Sequence, residues 1–243
     1  MGSGFGASWT RHEVKPMERA SLSDRIEGVA LESWARLVGY ASLPLEVRSV
    51  STEGFSYAVS FAVPLLRGVV SQIGEGPTHT YFVHYRTVNR LIDDIALRIS
   101  LVIEEDGFTA LPIAASQTVD RSTMSGVFQH KTAATSAGLG FVGKSGLLIT
   151  EEFGPRVRLG TVLTTAPLEA GEPRTTRGCG DCSLCATQCP AGAISGREWD
   201  ASGNAWNLVD KEACSRHMRK AYGHIGRGAV CGVCMAVCPI GYR

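Results

Sequence analysis

All eight cysteines of this 243-residue chain fall between Cys179 and Cys238, and the first 178 residues contain none. Disulfide scaffolds belong to short secreted domains and spread their cysteines over the fold they staple. A cysteine-free body with a cysteine-dense tail argues against one. The first run reads Cys179-x2-Cys182-x2-Cys185-x3-Cys189-Pro190. Thiolates at successive gaps of two can converge on one [4Fe–4S] cube from a tightly turned backbone, and in two-cluster chains with this spacing the fourth thiolate ligates the other cube. Zinc is better served by two separate Cys-x2-Cys pairs.

A second run, Cys231-x2-Cys234-x3-Cys238-Pro239, has one thiolate fewer. If the last cysteine of each run crosses over, Cys238 joins Cys179, Cys182 and Cys185. Cys189 then joins Cys231 and Cys234, and Cys214, the one cysteine left, fills the remaining place. Eight thiolates thus make two cubes of four with none over. Two adjacent cubes suit one-electron transport between a donor and a redox site. Asp210 is placed to cap a short helix starting at Lys211, which puts Cys214 one turn in, near the helix's positive end. His217, a turn further on, reads as a surface helix residue.

The residues before the cysteines must supply a scaffold. Apolar spacing predicts a helix over Glu18–Val38 stopped by Gly39, and a long one over Thr80–Asp106 closed by Gly107. Ser56–Val63 and Phe108–Ala114 read as strands, and Leu147–Thr150 with Val157–Thr164 as a hairpin around Gly154-Pro155. Mixed helices and strands give an α/β or α+β body over residues 1–170, with a cluster domain over 171–243 and a linker at Leu168–Gly178.

The charge sum, 24 Lys+Arg against 23 Asp+Glu, argues against DNA or an anionic membrane as partner. The longest apolar stretch, Tyr57–Leu66, is broken by Ser60 and Pro64 and falls short of the about 20 residues a bilayer needs. The first residues lack a basic start followed by an apolar core, so no export signal is expected and a cytoplasmic location is.

Gly138-Leu139-Gly140-Phe141-Val142-Gly143-Lys144-Ser145 satisfies both G-x-G-x-x-G and the phosphate-loop pattern. Those motifs hang between a preceding strand and a following helix, and here the order is reversed. A glycine-rich bend that lets backbone approach a flat ligand or a packed neighbour is the better reading. With His130-Lys131, Leu147–Thr150, Arg158–Leu163 and the two cysteine runs, this block resembles the epoxyqueuosine reductases and, more distantly, the reductive dehalogenases. The resemblance runs from about Val119 to Pro239.

It implies a nitroreductase-like body, a bacterial-ferredoxin-like double-cluster domain, and a base-off cobalamin fed by the clusters. By resemblance His130, Gly138, Gly140, Gly143 and Lys144 would lie against the corrinoid, and Asp120 would be the proton donor, with a pKa raised by burial. Tyr81 and Tyr85 are secondary donor candidates. The expected partners are a low-potential donor such as ferredoxin or flavodoxin and a small-molecule substrate, with a homodimer a further expectation. The chain departs from the family after Asp120, where Arg121–Gly126 replaces a Pro and a Glu-Arg pair, and after Cys238-Pro239, where Ile240–Arg243 stands in place of a helical repeat region. These departures argue against tRNA as substrate. The expected function is a corrinoid-dependent iron–sulfur reductase. The alternatives are an electron-transfer or corrinoid-reducing partner without substrate chemistry, and a structural cluster protein.

Overall fold

The computed structural model describes residues 20–47, 49, 51–120, 125–175, 178–199 and 208–241. Ser21 opens α1 (Leu22–Glu32) with a reciprocal capping box to Asp24. Then come β1 (Leu37–Ser42), β2 (Tyr57–Pro64), the single turn α2 (Arg67–Val70) and the long α3 (His79–Glu105), capped by Thr78. β3 (Ala110–Ile113), α4 (His130–Ser136), β4 (Phe141–Val142), β5 (Leu148–Ile149) and β6 (Val157–Thr164) complete the body. The cysteine-rich segment carries α5 (Leu184–Thr187), α6 (Lys211–Ala221) and α7 (Val233–Ala236).

The body is a four-stranded antiparallel sheet in the order β1-β2-β6-β3, covered on both faces. On one side α1 and α3 press Ile26, Ile92, Ile95, Ile99 and Ile103 onto Val59, Phe61, Val63 and Val162. On the other, α4 lays Ala133 and Ala137 on Ala41, Ala58, Ile113 and Leu163. Burial on both faces explains why β2 reads as a continuous apolar run. Burying each large α3 side chain contributes roughly 1.5–3 kcal/mol. Arg25 ties α1 to the end of α3 through Asp106 at 2.6 Å and Glu105 at 3.0 Å.

Two expectations are corrected. The first helix ends at Glu32 rather than Val38, because Leu37–Ser42 pairs with β2 as an edge strand; the expected first turn, Glu18–Arg19, lies outside the described residues. Leu148–Ile149 and Val157–Thr164 are not partners in a hairpin. The former pairs with β4 and the latter with β2 and β3, and only a single bridge, Thr150 to Gly154, closes the turn between them. No described helix is long and apolar enough to cross a membrane.

Candidate functional site

α5 is followed by Cys189 and α7 by Cys238, and these two single-turn helices lie against each other. The later half of each run therefore lies beside the later half of the other. The thiols act on one another electrostatically in two sets. Burial pushes Cys185 up, and the charges acting on it next are those of Cys179, Cys238 and Cys182. Cys238 is raised by burial and feels Cys179 and Cys182. Burial likewise raises Cys214, which feels Cys231 and Cys189. Cys234 is pushed up to about 12, first by burial and then by Cys231, Cys214, Cys185 and Cys189. Cys179, Cys182, Cys185 and Cys238 thus act on one another, as do Cys189, Cys214, Cys231 and Cys234, and Cys185 acts also on Cys234.

These neighbourhoods suit a cube. Among the described residues, no three His, Cys, Asp or Glu side chains converge closely enough for a single metal ion, whereas a four-iron cluster holds its thiolates farther apart than one ion does. Backbone amides already point at two of the sulfurs, Lys144 N–H at Cys179 Sγ (3.5 Å) and Ala193 N–H at Cys189 Sγ (3.4 Å). A cavity of about 550 Å³ is lined by close sequence neighbours of the second four, among them Gln188, Pro190, Val233 and His217. His217 Nε2 is buried there with no hydrogen-bond partner and its ring stands edge-on to Tyr222; the surface position expected for it is corrected. Asp210 caps α6 by accepting from Ala213 N–H, so Cys214 sits one turn in.

The glycine block packs closely against later parts of the chain, Gly143 toward Cys179. A Cβ on Gly138 would meet Glu172 O at 2.7 Å, one on Gly140 would run into the Ile149 carbonyl, and one on Gly143 would meet Ile149 at 2.7 Å and Cys179 Sγ at 3.3 Å. Lys144 is buried, its Nζ donating to Gly180 O (2.6 Å) and Cys182 O (3.1 Å), with Glu198 Oε1 at 3.7 Å. It braces the loop between the first two cysteines.

A second, open cavity of about 360 Å³ lies between the ends of β3 and β6, the start of α4, residues 146–148 and the start of α6. His130 lines it, but both ring nitrogens are taken: Nε2 donates to Ala114 O (3.1 Å) and Nδ1 accepts from Thr161 Oγ1 (2.9 Å). This is the neutral tautomer, and burial pushes its pKa below the usual range. Asp120 is exposed, paired through its backbone with Ser125, while Ser116–Thr118 and Ser125–Phe128 on either side line the cavity. The burial expected to raise its pKa is not supplied by the chain. Tyr81 is buried, sits at a tilt to Tyr85 with ring centroids 6.2 Å apart, and lies against Gly232 between Cys231 and Cys234. Arg158 covers the Tyr85 ring at 4.3 Å. Neither tyrosine lines the cavity.

Sequence reading passed over Arg158 and Lys211 as site residues. The signals were present: a charge at the second position of an apolar strand, and a lysine at the first position of a helix, where the dipole disfavours it.

Residues 178–241 match the family described as a 4Fe-4S double cluster binding domain. A tetrachloroethene reductive dehalogenase of Sulfurospirillum multivorans is 39% identical over 119 residues, covering 47% of this chain and 24% of its own. An epoxyqueuosine reductase of Lactococcus garvieae is 30% identical over 159 residues, covering 64% of this chain and 41% of its own. The chain is similar in sequence to reductive dehalogenases and epoxyqueuosine reductases. It matches no more than about two fifths of the length of these two curated relatives. Among solved structures, a catabolic reductive dehalogenase superposes with a TM-score of 0.72 at 21% identity over 92% of this chain and 33% of its own. An epoxyqueuosine reductase with a modified tRNA stem loop superposes at 0.60 and 16% identity, over 90% of this chain and 65% of its own. At those identities the likeness is one of fold.

Proposed function

We propose that this chain is an iron–sulfur reductase that accepts single electrons from a low-potential donor such as ferredoxin or flavodoxin and delivers them to a corrinoid at the open cavity, where a small molecule is reduced. The observation that carries the reading is the grouping of eight thiols into two mutually interacting sets of four, within a segment that matches a 4Fe-4S double cluster binding domain. Cys179, Cys182, Cys185 and Cys238 would hold one cluster, and Cys189, Cys214, Cys231 and Cys234 the other. Bound clusters supply electrons one at a time, and a bound corrinoid would supply a strongly reducing metal centre.

The chain's own residues do the rest. Amides of Lys144 and Ala193 favour charge on the ligating sulfurs. Tyr81 and Val233 close the second group on the body side. Small residues along the cavity, Ala114, Ala115, Ser116 and Gly126, leave room for a broad flat ligand. A reductive dehalogenase of like fold is described in connection with B12-dependent dehalogenation, which supports this occupant. Asp120 would deliver the proton that accompanies electron arrival. An epoxyqueuosine reductase of like fold is described with its catalytic aspartate loop swung out of the active site, and the exposed Asp120 is consistent with such an open arrangement.

The protein-filled glycine block favours a second reading, in which the clusters serve another protein's cofactor. Anaerobic reconstitution with iron, sulfide and cobalamin separates the two. Corrinoid absorbance that co-elutes with the brown protein is expected, and its absence from a chain with full iron would leave only the second reading. Asp120→Asn should then keep both cofactors and lose turnover, and turnover left intact would remove Asp120 from the mechanism.

A further inference from the structure

The surface over the second set of thiols is basic. Residues 211–228 carry five Lys or Arg against the single acid Glu212, in a chain whose whole sum is +1. Arg216, Arg219 and Lys220 stand exposed on α6, and Arg227 stands exposed in the loop after it. That loop is pinned between two helices: a Cβ on Gly226 would run into the Phe82 ring of α3, and one on Gly228 into the Met218 carbonyl of α6. Arg227 between them is held at φ +59°, a left-handed conformation that an arginine adopts at a cost. α3 adds Arg86, also exposed, over the Phe82 ring at 5.8 Å, and His79, whose ring lies 6.3 Å from that of His224. Glu212 pairs with Arg216 at 2.9 Å, and Glu75 meets the patch through its backbone, its carbonyl accepting the Tyr222 hydroxyl at 2.8 Å. The thiols lie close beneath. α6 carries Cys214, and Cys231 follows three residues after Gly228. Ala221 and Tyr222 line the cavity of about 550 Å³ together with Gln188, Pro190 and Val233, the chain neighbours of Cys189 and Cys234. Burial pushes Tyr222 above the usual tyrosine range, and the next charges it feels are those of Cys231 and Cys189. Tyr222 is thus shared by the basic surface and the second set.

We infer that this face, built from α6, Gly226–Gly228 and the start of α3, docks a small acidic electron-carrier protein, which passes single electrons to the cluster held by Cys189, Cys214, Cys231 and Cys234. The inference rests on the cluster pair proposed above and not on the corrinoid. The carrier's reduced centre loses one electron as that cluster gains it, and no bond or proton changes hands. Acidic side chains set against these cations steer the encounter and speed it, an effect that salt erodes. An RNA would answer the charge but has no use for the thiols beneath it.

The test uses the full chain with reconstituted clusters and two reductants: flavodoxin in its hydroquinone state, as the small acidic carrier, and the methyl viologen radical cation, which needs no docking face. Anaerobic stopped flow follows the bleaching of cluster absorbance in the wild type and in two paired variants, Arg219→Glu with Lys220→Glu, and Arg86→Glu with Arg227→Glu. All four positions are exposed, and either pair carries the test if the other fails to fold. Flavodoxin should reduce the wild type at a rate that falls as salt is raised, and should slow about tenfold in each paired variant. Methyl viologen should reduce the variants no more slowly than the wild type. A flavodoxin rate indifferent to salt and to both substitutions overturns the inference. Equal slowing with methyl viologen also overturns it, because these residues would then act on the cluster and not on a partner. Binding of an RNA stem loop that the substitutions abolish, with the flavodoxin rate unchanged, would assign the face to RNA instead. A wild-type chain that takes up no iron removes the cluster reading, and the inference with it.

Discussion

Replacing Gly154 with alanine should loosen one cluster from a position that carries no ligand. Gly154 sits at φ +55°, where an L side chain costs about 1–2 kcal/mol. Its backbone is held by reciprocal bonds with Thr150, 3.0 Å each way. A Cβ there would overlap the Ile240 carbonyl oxygen outright and stand 2.7 Å from its carbon, where real contacts stay above about 3.0 Å. Both obstacles are backbone, so no side chain can swing aside, and the Pro239–Gly241 segment must retreat. Displacement of that kind adds about 1–3 kcal/mol. The total is about 2–5 kcal/mol, delivered two residues from Cys238. The assay is iron content after anaerobic reconstitution, with thermal unfolding of the same samples. Iron should fall from about eight atoms per chain toward about four while the body stays folded. Gly28→Ala is the control: it lies inside α1 with nothing within 4 Å of a new Cβ, and should stabilise by about 0.5–1 kcal/mol. Full iron and an unchanged unfolding temperature in Gly154→Ala would refute the idea that this turn holds the Cys238 segment in place.

Cys214→Ala should also lower iron toward about four, with the surviving paramagnetic signal that of an isolated cluster; a count still near eight would mean that another group fills the place. Lys144→Met removes two charge-assisted bonds, to Gly180 O and Cys182 O, each worth about 1.5–3 kcal/mol. Its effect should show as faster loss of iron to a chelator, and an unchanged rate would reduce Lys144 to filler. His130 is held neutral by burial, so its folded pKa lies below the usual 6.5. The unfolded chain therefore binds the extra proton first, and this contribution to stability, complete above pH 6.5, is lost as the pH falls through the folded value. His130→Asn should flatten the acid limb of an unfolding-against-pH curve, and a limb that superposes on the wild type's would exclude the residue.

The parts of the fold that could be read from sequence are those set locally. The α3 repeat at three and four, with Gly107 after it, marks both ends to within a residue. Asp210 marks the start of α6 because its carboxylate satisfies an amide three residues on. β1 was hidden because Leu37 and Val38 continue the helical spacing of α1 and Gly39 resembles a helix stop. Its real constraint is distant: a Cβ there would meet Ala137 O at 2.9 Å. The cysteines could be named as candidate ligands because the gaps that let thiolates converge are short and the remainder is a matter of counting. The glycine block could not be placed, because what fills it (Glu172, Ile149, Cys179) comes from later in the chain and from two separate segments. Arg158 and Lys211 were visible as anomalies, but only the fold brings them to one cavity.

The open cavity and the thiols share their supports. α6 gives the cavity Lys211 and, three residues on, gives the second group Cys214; at about 1.5 Å of rise per residue these are about 4.5 Å apart along the axis. On the other side, the turn closed by Gly146 N–H to Gly143 O (2.8 Å) presents Gly146 to the cavity and Gly143 to Cys179. The cavity therefore borders both groups of thiols through single turns of backbone. Charge in one place is then felt in the other.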